Sequence, residues 1–171
     1  MTENDILMVN ALETALQHTL ERLSPDRVFV LTDANTHRLC WPRVASVPAL
    51  QTATPLTIEA GDDHKNLATL TQVWTALSEQ GATRHSCLVN VGGGMVTDLG
   101  GFAASTFKRG IAFVNLPTTL LAMVDASVGG KTGINFMGLK NEIGAFCAPN
   151  AVLIDSQFLA TLDARNLRSG D

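Results

Sequence analysis

Val89-Asn90-Val91-Gly92-Gly93-Gly94-Met95-Val96-Thr97-Asp98 is the stretch on which the fold turns. An apolar, β-branched run ends in three consecutive glycines, and an aspartate follows four residues after the last. Three glycines in a row favour neither strand nor helix, because glycine loses the most backbone freedom on ordering. They suit a turn where main chain must come very close to something, such as a pyrophosphate held by helix-terminal amides. The spacing differs from the G-x-G-x-x-G of the common dinucleotide fold. A plain tight turn would leave the same trace, and what favours a ligand is a second dense cluster downstream, from Leu116 to Asn135.

Around this stretch the chain alternates apolar strands with amphipathic helices. Asp5 to Val9, Val28 to Leu31, Leu56 to Ile58, Cys87 to Val91, Ile111 to Leu116 and Ala151 to Ile154 read as strands. Val28-Phe29-Val30-Leu31 is apolar throughout, as expected of a strand covered on both faces. Ala11 to Leu23 and Asn66 to Gln80 read as helices, with Leu67, Leu70, Val73, Trp74 and Leu77 on one stripe and Gly81 at the C-terminal stop. Gly94 to Phe107 is predicted helical despite Gly100 and Gly101. The alternation predicts an α/β fold with a mostly parallel, Rossmann-like sheet and helices on both faces. One domain spans residues 1–171, with 161–171 expected to begin a linker.

Hydrophobic residues make up 46% of the 171, and mean hydropathy is +0.17, which indicates a globular core. A net charge of −4 argues against general attraction to nucleic acid or anionic membrane. Cys40, Cys87 and Cys147 form no CxxC pair and are expected to be buried thiols of a reducing, cytoplasmic environment. His18, His37, His64 and His85 show no metal-ligand spacing. No basic leader or membrane-length apolar run stands in the sequence.

In a doubly wound sheet, ligands bind beyond the carboxyl ends of the strands. Asp33 and Asn35 follow one strand; the acid there either accepts bonds from ribose hydroxyls or caps a helix. Gly61-Asp62-Asp63-His64-Lys65 follows a second, where Asp62 or Asp63 most simply caps the next helix. Asp98 either supports its own helix or faces a cofactor lying over the glycines. In the second cluster, Pro117-Thr118-Thr119 offers hydroxyls, and Leu120, Leu121, Met123 and Val124 are read as core. Gly129-Gly130-Lys131-Thr132 ends like a Walker A loop, but Asp125 stands where its first glycine belongs, so an NTPase is not indicated. Lys131 in a flexible turn, Lys140 and Arg109 together could neutralise a small anion.

Several strings resemble the 3-dehydroquinate synthase family: Gly92 to Asp98, Lys108-Arg109-Gly110, Pro117 to Asn135, and Lys140-Asn141-Glu142-Ile143-Gly144-Ala145-Phe146. The triple glycine and the Pro-Thr-Thr are shared with glycerol and iron-dependent alcohol dehydrogenases; the last two strings narrow the likeness to sugar-phosphate cyclases. The resemblance implies an NAD-dependent enzyme of the shikimate pathway that converts 3-deoxy-D-arabino-heptulosonate 7-phosphate to 3-dehydroquinate and phosphate. It implies that Asp33, Asn35 and Gly61 to Lys65 hold the adenosine end of NAD. Gly93, Gly94, Met95, Val96, Thr97 and Asp98 would cover pyrophosphate and nicotinamide, with Thr118 and Thr119 beside them. Asp125, Lys131, Lys140 and Asn141 would line the meeting of cofactor and substrate. Arg109 would reach the substrate of a neighbouring subunit in a homodimer, and Phe158, Leu159, Ala160 and Thr161 match a further cofactor-contacting segment. Asp62 stands for the usual Glu, and Thr97 where the family often has Gly.

The family's zinc or cobalt ligands, a glutamate and two histidines, lie in a helical C-terminal domain, and the sequence stops short of the first. The chain is therefore expected to be a cofactor domain, inactive alone. An inosose- or valiolone-type cyclase, a simple dehydrogenase and a non-catalytic nucleotide-binding module remain alternatives.

Overall fold

Six parallel strands build the molecule, in the order β1-β8-β5-β4-β2-β3. The computed structural model describes residues 5–9, 11–127 and 129–161, so all but the first residue of the linker expected at 161–171 lies outside the described residues. The strands are β1 (Asp5–Met8), β2 (Val28–Asp33), β3 (Thr54–Ile58), β4 (Cys87–Gly92), β5 (Ala112–Pro117) and β8 (Ala151–Ile154). The helices are α1 (Leu12–Leu23), α2 (Ala34–Leu39), α3 (Trp41–Val44), α4 (Leu67–Glu79), α5 (Gly94–Thr106), α6 (Leu120–Ser127) and α7 (Gln157–Thr161). A separate antiparallel hairpin joins β6 (Lys131–Phe136) to β7 (Leu139–Phe146).

Alternate residues along the central strands feed two apolar layers. Val30, Val89, Val91, Val114 and Leu116 pack with Leu12, Leu16 and Leu20 of α1 and with Val44 of α3. Phe29, Leu31, Leu88 and Phe113 pack on the other face with Leu70, Val73 and Leu77 of α4 and Leu99 and Ala103 of α5. All six residues of β4 are buried, which is why its sequence is apolar but for Gly92 and for Asn90, whose amide donates to Asn115 Oδ1 at 3.0 Å. Each buried side chain of this size contributes about 1.5–3 kcal/mol. The chain after β2 thus enters one layer and the chain after β4 the other, although the two strands are neighbours. Such a switch opens a crevice at their carboxyl ends.

Gly100 and Gly101 seat α5 between sheet and hairpin. A Cβ on Gly100 would lie 2.0 Å from Asn90 Oδ1, and one on Gly101 would lie 2.6 Å from Thr132 Cγ2. The helix therefore touches β4 on one side and β6 on the other without a side chain intervening.

Two expectations change. Lys131 opens a strand instead of lying in a flexible turn, and Lys140 and Asn141 sit on its antiparallel partner. The hairpin lacks the apolar run of a covered strand, since seven of the eight β7 residues are exposed. Its turn, Met137-Gly138, has φ of 51° and 78° at both positions, the left-handed pair of a two-residue type I′ loop. Leu120, Leu121 and Val124 are not core: they are 59%, 59% and 56% exposed, and Met123 is the buried residue of that group. α6 rests against the sheet on one side, through Ala122 and Met123, and leaves the rest of its apolar set exposed.

Candidate functional site

The carboxyl ends of the six parallel strands lie along one edge of the sheet, and three segments converge there: the turn after β3, the start of α5 and the hairpin. β4 runs into α5 through Gly92 and Gly93. A Cβ on Gly92 would lie 2.6 Å from Val96 Cβ, so the strand-to-helix turn closes tightly only with glycine. Gly93 is the N-cap residue and no side chain caps the helix. At Gly94 nothing lies within 4 Å of the place a Cβ would occupy. The first amides of α5 consequently face open space and call for an acceptor. Thr118, at the end of β5, donates its amide to Gly92 O at 2.9 Å. Its hydroxyl is fully buried and has no hydrogen-bond partner among the described residues. Buried hydroxyls are normally satisfied, so an uncapped helix end beside an unpartnered hydroxyl fits a ligand rich in acceptor oxygens. The Thr119 hydroxyl instead accepts from Ala122 N at 3.1 Å and starts α6.

The electrostatic centre is Lys65, 4% exposed. Its ammonium donates to Asp98 Oδ2 at 2.7 Å and to Asn141 Oδ1 at 2.5 Å. Burial pushes the Asp98 carboxyl above the usual carboxylate range, against the pull of Lys65, with Asp125 and Asp62 adding to the rise. Asp62 behaves oppositely: the Lys140 hydrogen bond, at 2.7 Å, holds it below that range despite some burial, and Asn135 assists. Asp62 thus pairs across to the hairpin, and the cap of α4 is Asn66, whose Oδ1 accepts from Thr69 N at 3.0 Å. Asp63 stays at the surface, and His64 pairs with Glu59 at 3.1 Å.

A cleft of about 970 Å³ opens between α5, α6 and the hairpin. Gly94, Thr97, Asp98, Asp125, Lys131 and Asn141 line it, with Ile6, Asn115 and Val152 of the sheet as its floor. Among the described residues no group of three or more His, Cys, Asp or Glu is placed to hold a metal ion.

The sequence model for the N-terminal part of 3-dehydroquinate synthase matches residues 55–169. The chain belongs to the 3-dehydroquinate synthase family. It is 55% identical over 170 residues to the 3-dehydroquinate synthase of Parabacteroides distasonis, covering 99% of this chain and 48% of that protein. Among solved structures, 2-epi-5-epi-valiolone synthase of Streptomyces hygroscopicus subsp. jinggangensis, with NAD+ and Zn2+ bound, superposes with TM-score 0.82 at 35% identity over 99% of this chain and 47% of that one. 2-Deoxy-scyllo-inosose synthase, complexed with carbaglucose-6-phosphate, NAD+ and Co2+, gives 0.79 at 27% identity over 91% and 43%. This member of the 3-dehydroquinate synthase family therefore spans about half the length of the relatives it matches.

The residues singled out in the sequence divide into three groups. Gly94, Thr97, Asp98, Asp125, Lys131 and Asn141 share the cleft, with Lys65 behind them. Asp33 stands at the end of β2, two residues beyond the last pair with β4, and caps α2 through Thr36 N at 2.9 Å, with exposed Asn35 next to it. The third group does not enter the cleft. Lys140 is exposed on the far side of the hairpin against Asp62. Arg109 is exposed in the turn after α5 and is not among the residues lining the cleft. Phe158 is wholly buried in the core under Arg43, whose guanidinium sits 5.2 Å from the ring centre. Leu159 packs at the margin of that core, and the side chains of Ala160 and Thr161 lie outside the described residues.

Two residues of the site carry no assignment from sequence. Cys147, half-buried, lines the cleft and is not core. Asn135 joins the turn after β3 to the hairpin. The available signal was the Met137-Gly138 pair between two short runs, which marks a hairpin and would have set Asn135 opposite the Lys140-Asn141 pair.

Proposed function

We propose that this chain is the cofactor-binding half of a 3-dehydroquinate synthase, which holds NAD across the crevice at the carboxyl ends of β2, β4 and β5. The observation that carries the reading is the uncapped start of α5 with the buried, unpartnered Thr118 hydroxyl beside it. The open space at Gly94 admits the pyrophosphate, and the helix amides and the Thr118 hydroxyl donate to its oxygens. Asp33, Asn35 and the turn from Gly61 to Lys65 flank the adenosine end; the segment from Phe158 to Thr161 closes the far side.

When bound, NAD accepts a hydride from the substrate and returns it, so the hard redox chemistry belongs to the cofactor. The chain's own residues bind and orient. Lys65 holds the Asp98 carboxylate and the Asn141 amide in fixed positions, and Lys131 presents an exposed ammonium to an anionic sugar phosphate. Asp125 lines the same wall as the second carboxylate. The divalent ion that goes with NAD in the cyclase structures finds no ligand set among the described residues; its ligands belong to the remaining half of the whole protein. Arg109, displayed at φ 68° on the surface beyond α5, is placed to serve a neighbouring subunit of a homodimer. The whole protein then works in the shikimate pathway, in the cytoplasm, on a small sugar phosphate, and uses neither nucleic acid nor membrane. No helix among the described residues is long and apolar enough to cross a membrane.

The test is titration calorimetry of this chain with NAD, alongside Gly94→Val. A Cβ at residue 94 has no protein atom within 4 Å, so the variant is expected to keep its thermal stability and to lose the binding heat. Absence of heat with the unaltered chain, or equal affinity in the variant, sinks the reading. A product assay on the whole protein separates the synthase from inosose- or valiolone-type cyclases.

A further inference from the structure

Asn135 has been given no role so far, yet it makes four hydrogen bonds to the two segments that carry the charged groups. Its amide nitrogen, in the backbone, donates to Lys65 O at 2.8 Å. Its side-chain Nδ2 donates to Asp62 O and to Asp62 Oδ2, both at 3.1 Å. Its Oδ1 accepts from Asn141 N at 2.9 Å. The hairpin register breaks between Ile134 and Phe136, and Asn141 has φ 52°. An irregular ladder leaves a backbone donor without its usual partner, and here the Asn135 carboxamide supplies one. The same carboxamide grips Asp62 with its other end.

We infer that Asn135 is a positioning residue: it fixes the distance between the turn bearing Lys65 and the strand bearing Asn141, and so sets the Lys65–Asp98–Asn141 contact. Only a side chain with a donor and an acceptor on one carbon does both tasks at this reach. Aspartate keeps the acceptor for Asn141 but turns an oxygen against Asp62. Alanine drops both arms. The inference rests on the functional reading above for its consequence, since the group it positions flanks the proposed NAD site.

The experiment compares the unaltered chain with Asn135→Ala and Asn135→Asp, using NAD calorimetry, thermal melting and carbon NMR titration of the Asp98 carboxyl. Asn135→Ala is expected to weaken NAD binding about tenfold, the effect of losing one to two hydrogen bonds to charged or strained partners. Asn135→Asp is expected to weaken it as well while keeping the Asn141 contact. In Asn135→Ala, which adds no charge, Asp98 titrates at higher pH than in the unaltered chain, because Lys65 no longer sits squarely against it; Asn135→Asp brings a new carboxylate toward Asp62 and is read by calorimetry and melting alone. A residue that only supported the hairpin would lower the melting temperature and leave the Asp98 titration where it was, and that result overturns the inference. Should the unaltered chain fail to bind NAD, the functional reading falls, and the Asp98 titration still decides the role of Asn135.

Discussion

The parallel sheet and the hairpin are both built of strands, but they are held by opposite means. β4 has every residue buried and is fixed by side chains packing from two layers. β7 has almost every residue exposed and is fixed from outside, by Lys140 on Asp62 and Asn141 on Lys65, while its partner β6 sets Thr132 against Gly101. Hydrophobic burial is non-directional and tolerates many sequences. Polar contacts fix distance and angle but add little net stability each. The sheet therefore supplies the free energy of the fold, and the hairpin, whose position it underwrites, supplies the geometry of the cleft.

Three experiments, in falling order of effect, can break or sharpen this contrast. Leu88→Ala, in β4 and fully buried, should cost about 2–5 kcal/mol and lower the urea midpoint of the whole molecule, hairpin included. Loss confined to the sheet would refute the dependence of one region on the other. Lys65→Met removes a buried ammonium and strands the Asp98 carboxylate. Breaking such a pair costs roughly 3–5 kcal/mol when both partners are buried, and about half of that is expected here, since Asp98 is 36% exposed. Hydrogen exchange should quicken in β6 and β7 and stay unchanged in β4 and β5. The smallest effect is chemical. Burial pushes the Cys40 and Cys87 thiols up to about 12, whereas Cys147 lies half-buried at the end of the hairpin. Ellman's reagent at pH 8 should consume Cys147 alone without altering the melting temperature, and bound NAD should slow it. Reaction at Cys87, the first residue of β4, would mean that the sheet opens as readily as the hairpin.

The same contrast explains what could be read from sequence. The six sheet strands and the long helices announce themselves because burial on two faces, or one stripe, writes itself in apolar periodicity. The glycine run was legible as a close approach because no other residue clears Val96 at Gly92. The cleft residues Asp98, Asp125, Lys131 and Asn141 were found, partly from position and partly from family resemblance. The hairpin was not, since its strands mix polar, apolar and glycine residues without a clear period, and the contacts to Lys65 and Asp62 that fix it join residues far apart in sequence. The pairing of Asp62 with Lys140 shows why: locally it looks like a helix cap, and only the folded chain brings the lysine to it. The exposed Leu120, Leu121 and Val124 mark the reverse error, in which an apolar pattern was taken for burial.

Gly101 offers a last lesson about tolerance. With nothing but hydrogen between its α-carbon and the Thr132 methyl, α5 and the hairpin cannot drift apart or together without loss of contact or collision. The gap between the helix amides at one wall and the lysine at the other is thus gauged by a missing methyl group.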